Sequence, residues 1–467
     1  MKTTPSITSL ITVALTILFA FTSCDKKNNA PELVYTLSPY VGSTFTEFHI
    51  DVNESRDDED NANELQFRFD WEDDGVWERD WTFETNHLNT YESEGNYSIR
   101  IEIKDTDGKT TSATETLTVT NSHNLIPAHS PFGYNVGINY ETRTVGRNNR
   151  NIVDDLDLIT KHFKLIKTFH AAAVGTSTPS IPIIDPDLKI VIDYMVAHKD
   201  EQLELAMGTN NNVLGIFPAA GEQWAPGLMT NKSYTDKFVQ MIISSFGSKE
   251  NVINFVKTIM LGNEIDGNKP PPTDPHYHDF YANWVPQSFE NLKESMHEAG
   301  LGNIPITTII ANYPQGKPVL NDSVQTSVTR YITNNWSSTW NSGNPFLMFN
   351  MYTEGKSTDF GFVINYFTAL DNIFNDSPGV YVGETGYTAE YGVENQVKVV
   401  NQIFSWLEGQ YQHNKITIPL FVFMAFDRPD KAKYQKKMGI FSDDSNNKPI
   451  GLKTNIEVPT WVGEKKK

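Results

Sequence analysis

The chain has 467 residues, 12% of them aromatic, a formal net charge of −20 and a single cysteine, Cys24. That length allows more than one domain, the negative balance excludes charge-driven binding of nucleic acid or of an anionic membrane, and one cysteine excludes a disulfide framework or a cysteine-ligated metal. A neutral substrate met by an aromatic surface is the expectation that remains.

Residues 1–23 have the layout of a signal peptide: Lys2, an apolar run over 7–21, then small and polar residues before Cys24. The run is at the short end for a membrane span, which needs about 20 apolar residues, so it is expected to be a leader and not part of the fold. Its end, Phe21-Thr22-Ser23-Cys24, resembles a bacterial lipoprotein processing box. The resemblance implies lipidation of Cys24, a polar tether over 24–30, and a place in the bacterial cell envelope, facing the periplasm or on the cell surface. Membrane contact is expected through that anchor alone.

Residues 31–121 alternate apolar and polar positions over 45–52, 65–71 and 97–103, with turn signals at Gly75, Gly95 and Asp107-Gly108. This pattern predicts a small antiparallel β-sandwich. The run Phe67-Arg68-Phe69-Asp70-Trp71-Glu72-Asp73-Asp74-Gly75 and the later Gly95-Asn96-Tyr97 resemble the PKD type of immunoglobulin-like module, although the glycine usual after the Asp-aromatic pair is missing. Acidic groups at 57–60 and 72–74 form oxygen-rich loops of a kind that can hold calcium, while exposed acidic runs are more often simply solvated. No other cofactor is expected. The module is expected to be a spacer or docking unit.

From 122 to 467 one rhythm repeats. Strand-like runs fall at 133–140, 164–170, 203–210, 258–264, 305–311, 346–352, 379–387 and 419–427, with amphipathic helical stretches such as 154–162, 188–198, 234–246, 280–299 and 395–407 between them. Eight strands alternating with helices, without a glycine-rich phosphate loop after the first, predict an α/β fold of the (β/α)8 barrel type. The fourth run ends in Leu261-Gly262-Asn263-Glu264 and the seventh passes through Gly383-Glu384. Strand C-termini of such a barrel open on one face, so the two glutamates are expected to meet across its mouth. Glycoside hydrolysis needs such a pair, one carboxylic acid to protonate the leaving oxygen and one carboxylate to attack or to activate water. A lone Gly-Asn-Glu step is a weak signal; two glutamates at matching barrel positions are a stronger one.

The barrel region resembles glycoside hydrolase family 17, the retaining β-1,3-glucanases. The matching stretches are Gly137-Ile138-Asn139-Tyr140, Ile166-Lys167-Thr168-Phe169, Leu261-Gly262-Asn263-Glu264, Asn350-Met351-Tyr352, Gly383-Glu384-Thr385-Gly386-Tyr387, and Phe426-Asp427 with Gly439-Ile440-Phe441. The resemblance implies that Glu264 is the acid/base, Glu384 the nucleophile and Asn263 a contact to the sugar 2-hydroxyl. It implies further that Tyr140, Tyr352 and Tyr387 line the cleft. Phe426, Lys431 and Asn210 complete the candidate substrate-binding set. The implied activity is endo-cleavage of a neutral, laminarin-like β-1,3-glucan by a monomer. A glucan-binding lipoprotein without turnover and a glucanosyltransferase are the alternatives. Arg428 and Gln435 depart from the family, standing where acidic residues are usual. The run His276-Tyr277-His278-Asp279 is expected at the cleft rim and not around a metal. Trp224, Trp336 and Trp340 fall between strands, where they either stack on sugars or anchor packing. Residues 465–467 are expected to be a solvated tail.

Overall fold

The computed structural model describes residues 28–38, 41–43, 48–120, 130–142, 150–172, 181–217, 223–267, 269–271, 273–311, 346–353, 355–374, 379–431 and 433–466. The expected leader, Cys24, the domain boundary near 122, Trp336 and Trp340 lie outside them. No helix among the described residues is long and apolar enough to cross a membrane.

The N-terminal part is a two-sheet sandwich. Thr36–Ser38, Phe48–Asp51 and Asn86–Asn89 form one sheet; Val41–Ser43, Thr110–Thr120, Gly95–Lys104, Gln66–Asp70 and Arg79–Thr82, in that order, form the other. The alternation seen in the sequence is the burial pattern. Phe48, Ile50, Phe67, Phe69, Ile99, Ile101 and Ile103 point between the sheets and form a core of their own. The acidic loops are organised by their own backbone. Asp70 is fully buried and accepts N–H groups from Glu72, Asp74 and Gly75, while Asp57 accepts those of Glu59 and Asp60. Asp70, Asp74 and Glu78 bring three carboxylates within 4.8 Å of one another.

The remainder is a (β/α)8 barrel. Its parallel strands are Val136–Asn139, Leu165–Lys167, Glu204–Gly208, Val256–Met260, a fifth in two pieces (Ile306–Thr307 and Ile309–Ile310), Phe346–Asn350, Gly379–Thr385 and Leu420–Val422. The first strand pairs with both the second and the eighth, and the two pieces of the fifth terminate the strand order at its two ends. Only Thr308 separates those pieces, so the ring closes through them. Inward-facing Leu165, Ala206, Met260, Ile309, Met348, Tyr381 and Phe421 fill the barrel, with Phe132 closing it from below. The larger core lies between strands and helices.

Several elements differ from expectation. The fourth strand stops at Met260, because Gly262 and Glu264 take φ of +72° and +52° and turn the chain away. Gly262 has no room for a side chain: an added Cβ would stand 2.6 Å from Asn211 Oδ1. The eighth strand is only Leu420–Val422. The helix expected at 280–299 is a π-helical stretch, Phe280–Trp284, followed by Val285–Glu298. Helices Lys249–Phe255 and Gly361–Phe374 lie between strands three and four and between strands six and seven, beyond the stretches named from the sequence. The tail is not wholly solvated either. Lys466 donates its N–H to the Gly133 carbonyl at 2.7 Å, and burial at the barrel bottom pulls its amine down to about 8.

Candidate active site

Glu384 lies near the end of the seventh strand, and its direction is set by irregular pairing. Strict alternation from inward-facing Tyr381 would point it outward, but the register shifts between Phe349 and Asn350 and between Val382 and Thr385. Such a bulge re-aims side chains, and Glu384 turns into the mouth, 4% exposed. One carboxylate oxygen accepts from Lys167 Nζ and the other from the Tyr352 hydroxyl, both at 2.9 Å. Gly386, just beyond, packs beneath the Phe423 carbonyl, where a Cβ would lie 2.1 Å from that oxygen.

Lys167 is fully buried at the end of the second strand. It also donates to Asn139 Oδ1 at 2.8 Å, and its ammonium stands 4.4 Å from the centre of the Phe169 ring. Burial depresses its pKa, opposed by the charge and hydrogen bond of Glu384 and the charge of Glu264. Asn139 is itself locked, its amide donating to the carbonyls of Gly383, Phe421 and Val422. Strands one, two, seven and eight are thus tied together directly under the carboxylate.

Glu264 sits four residues beyond the fourth strand, half-buried, in a left-handed conformation that non-glycine residues adopt at a cost of about 1–3 kcal/mol and that concentrates at functional sites. Asn350 Nδ2 donates to its carboxylate at 3.0 Å, and Asn350 pairs in register with Glu384. A single cavity of about 430 Å³ is lined by both glutamates together with Asn350, Tyr352, Tyr387 and Gln435. Phe362, Tyr366, Tyr391 and Tyr434 add further aromatic wall.

The other candidates are distributed more widely. Tyr352 and Tyr387 line this cavity, the Tyr387 hydroxyl donating to the Lys356 carbonyl. Asn263 stands beside Glu264 and exchanges backbone hydrogen bonds with the Asn211 side chain at 2.7 and 2.9 Å. Asn210 caps the turn Asn211–Val213 through Asn212 N–H. Tyr140 and Phe426 are buried outside the cavity: the Tyr140 hydroxyl donates to Asp155, and Phe426 lies under the Arg150 guanidinium at 3.5 Å. Lys431 is partly exposed and faces Glu141 at 3.5 Å. Glu141 is also faced by Arg428 at 3.3 Å and His170 at 3.6 Å, and Arg428 forms a two-pronged pair with Asp430. Arg428 is therefore internal to the loop after strand eight, whereas Gln435 reaches the cavity. Asp427 accepts Gly439 N–H at 2.7 Å, joining two of the matched stretches in space. His276 pairs with Asp279, and Trp224 packs against Phe280 and Phe217.

Lys167, Asn139 and Asn350 had not been singled out as site residues. A signal for the first was present, since a lysine ending an otherwise apolar Leu-Ile-Lys strand must be buried and therefore must be paired.

Fold and site together define a (β/α)8 barrel with two carboxylates on one aromatic-walled cavity. No family model and no curated protein matches the chain. Among solved structures it is similar to a plant β-glucan endohydrolase (12% identity, 65% of this chain and 96% of that one, TM-score 0.45). It is similar also to a β-glucosidase from Thermotoga maritima (13%, 72% and 97%, TM-score 0.45). Its N-terminal part is similar to the PKD1 domain of Vibrio anguillarum Epp (22%, 20% and 99%, TM-score 0.16). Closure of the barrel stands on the strand pairing independently of these likenesses.

Proposed function

We propose that the barrel is a retaining glycoside hydrolase acting within neutral β-1,3-glucan chains, with Glu384 as nucleophile and Glu264 as acid/base. The observation that carries this is the convergence of both glutamates on one cavity, linked by Asn350. Glu384 attacks the anomeric carbon while Glu264 protonates the departing oxygen; the glycosyl ester then forms, and water deprotonated by Glu264 releases the sugar with its β configuration kept. Lys167 and Tyr352 orient the attacking carboxylate and disperse its charge. Turnover is favoured over a purely binding role because a buried carboxyl placed against a buried lysine is a costly arrangement that a neutral glucan binder has no physical need to maintain.

The product ladder from a linear β-1,3-glucan, run beside β-1,4 and mixed-linkage glucans, tests linkage and mode of attack, and NMR of the first product tests stereochemistry. An α anomer formed first overturns the double displacement. Glu384→Gln is expected to lower turnover on the order of 10⁴-fold or more while leaving glucan binding intact. Glu264→Ala is expected to retain activity on an activated aryl glycoside and to respond to azide, because that leaving group needs little protonation. We further propose attachment to the envelope membrane through Cys24; fatty-acid labelling lost in Cys24→Ser checks it.

A further inference from the structure

The sandwich meets the barrel at a place that matters for the cavity. Strand Val41–Ser43 ends the order of the five-stranded sheet, and this edge lies against helix Gly361–Phe374 of the barrel. Open sheet edges are commonly covered by a helix, and this one is. Immediately before the helix, Asp359 accepts Gly361 N–H at 2.8 Å, satisfying one of the helix's first donors. Burial pushes the Asp359 carboxyl up, while Gly361 N–H, the His49 imidazole and Lys398 draw it back towards the charged form. His49 belongs to the sandwich strand Phe48–Asp51, where its ring also meets Asn86 Oδ1 at 3.0 Å, so module and barrel are coupled through charge as well as along a strand edge. The same helix carries Phe362 and Tyr366 into the cavity that holds Glu264 and Glu384. Those two residues are four apart and therefore share one helix face. The two hydrophobic cores are separate, so the contact joins two folded bodies and is not a shared interior.

We propose that the N-terminal sandwich is a fixed support of the cleft wall: its Val41–Ser43 edge and His49 hold the start of helix Gly361–Phe374, and through Phe362 and Tyr366 set how tightly substrate is bound. This is more than the spacer role expected from the sequence. The claim about substrate rests on the glycosidase proposal; the docking does not.

The test uses the full chain. His49→Asp places a like charge in the surroundings of Asp359, His49→Lys places a fixed positive one there, and Asp359→Asn keeps an oxygen for Gly361 N–H while removing the charge. Two quantities are read, amide exchange over 361–374 and KM for the β-1,3-glucan. His49→Asp and Asp359→Asn are expected to speed exchange in that helix and to raise KM roughly three- to tenfold with kcat within about twofold, the range of coupling carried between packed elements. His49→Lys is expected to match the parent protein. Unchanged exchange in both charge-altering variants overturns the docking, and faster exchange with unchanged KM overturns the link to substrate. Should His49→Asp unfold the sandwich, seen as lost protection in Gly95–Lys104, Asp359→Asn decides alone from the barrel side. Should the parent protein turn over no glucan, the glycosidase proposal fails, and exchange still decides whether the sandwich braces the helix.

Discussion

Lys167 holds the candidate nucleophile, and its burial makes two opposite pH trends. Its pKa in the folded protein lies below the ordinary 10.5, so between that depressed value and 10.5 the unfolded chain binds more protons than the folded one. By linkage, its contribution to stability rises with pH across this window, the cost of burying the charge being relieved as the ammonium deprotonates. Activity is expected to move the other way, falling as pH rises through the folded pKa, because the ion pair orienting Glu384 is lost. Parallel pH profiles of kcat and of chemical unfolding check this; in Lys167→Met the alkaline fall in kcat that belongs to Lys167 should vanish. That variant leaves Glu384 without its charged partner and is expected to lower kcat about 10²-fold or more, in line with removal of a single preorganised donor.

At the scale of elements, the first helix of the barrel, Ile152–Ile159, is bound to its surroundings by a buried ion network. Arg150 and Asp155, 2% and 0% exposed in their side chains, form a pair extended by Asp443 of strand Phe441–Asp443 and by the Tyr140 hydroxyl. Arg150 also covers the Phe426 ring. Tyr140 and Phe426 thus tie strand one, the first helix and the C-terminal hairpin together. Asp155→Ala strands a buried guanidinium and is expected to destabilise the protein by about 3–5 kcal/mol, measured by denaturant unfolding, with KM little changed because neither Asp155 nor Arg150 lines the cavity. A replacement of Tyr140 by Phe is expected to act on stability in the same direction and more weakly.

For the whole molecule, the two hydrophobic cores are separate, so the chain from about residue 122 is expected to fold without the sandwich and to melt in its own transition. The isolated barrel is expected to keep kcat on a small aryl glycoside but to bind glucan more weakly, since the helix bearing Phe362 and Tyr366 loses its outer support. Calorimetry and steady-state kinetics on the truncated chain check both halves of this expectation.

The fold class was legible because burial writes itself into sequence periodicity: Phe67, Phe69, Ile99, Ile101 and Ile103 alternate as sandwich strands do, and eight apolar runs separated by amphipathic stretches mark the barrel. The two glutamates were legible for the same reason, since each follows an apolar run whose end must open on one face of the barrel. What the linear pattern did not contain was direction and partnership. Glu384 faces inward only because pairing slips by a residue beside it, and a register shift has no periodic signature. The helix Gly361–Phe374 is strongly apolar over its length, and a buried apolar run is not told from a strand by periodicity alone. Lys167, Asn139 and Asn350 come from strands two, one and six, and the charge of Asp359 is influenced by His49 across more than 300 positions; burial of Lys167 is marked in its apolar strand, but which partners these residues find is decided by closing the barrel and docking the sandwich, steps that depend on the whole chain's packing.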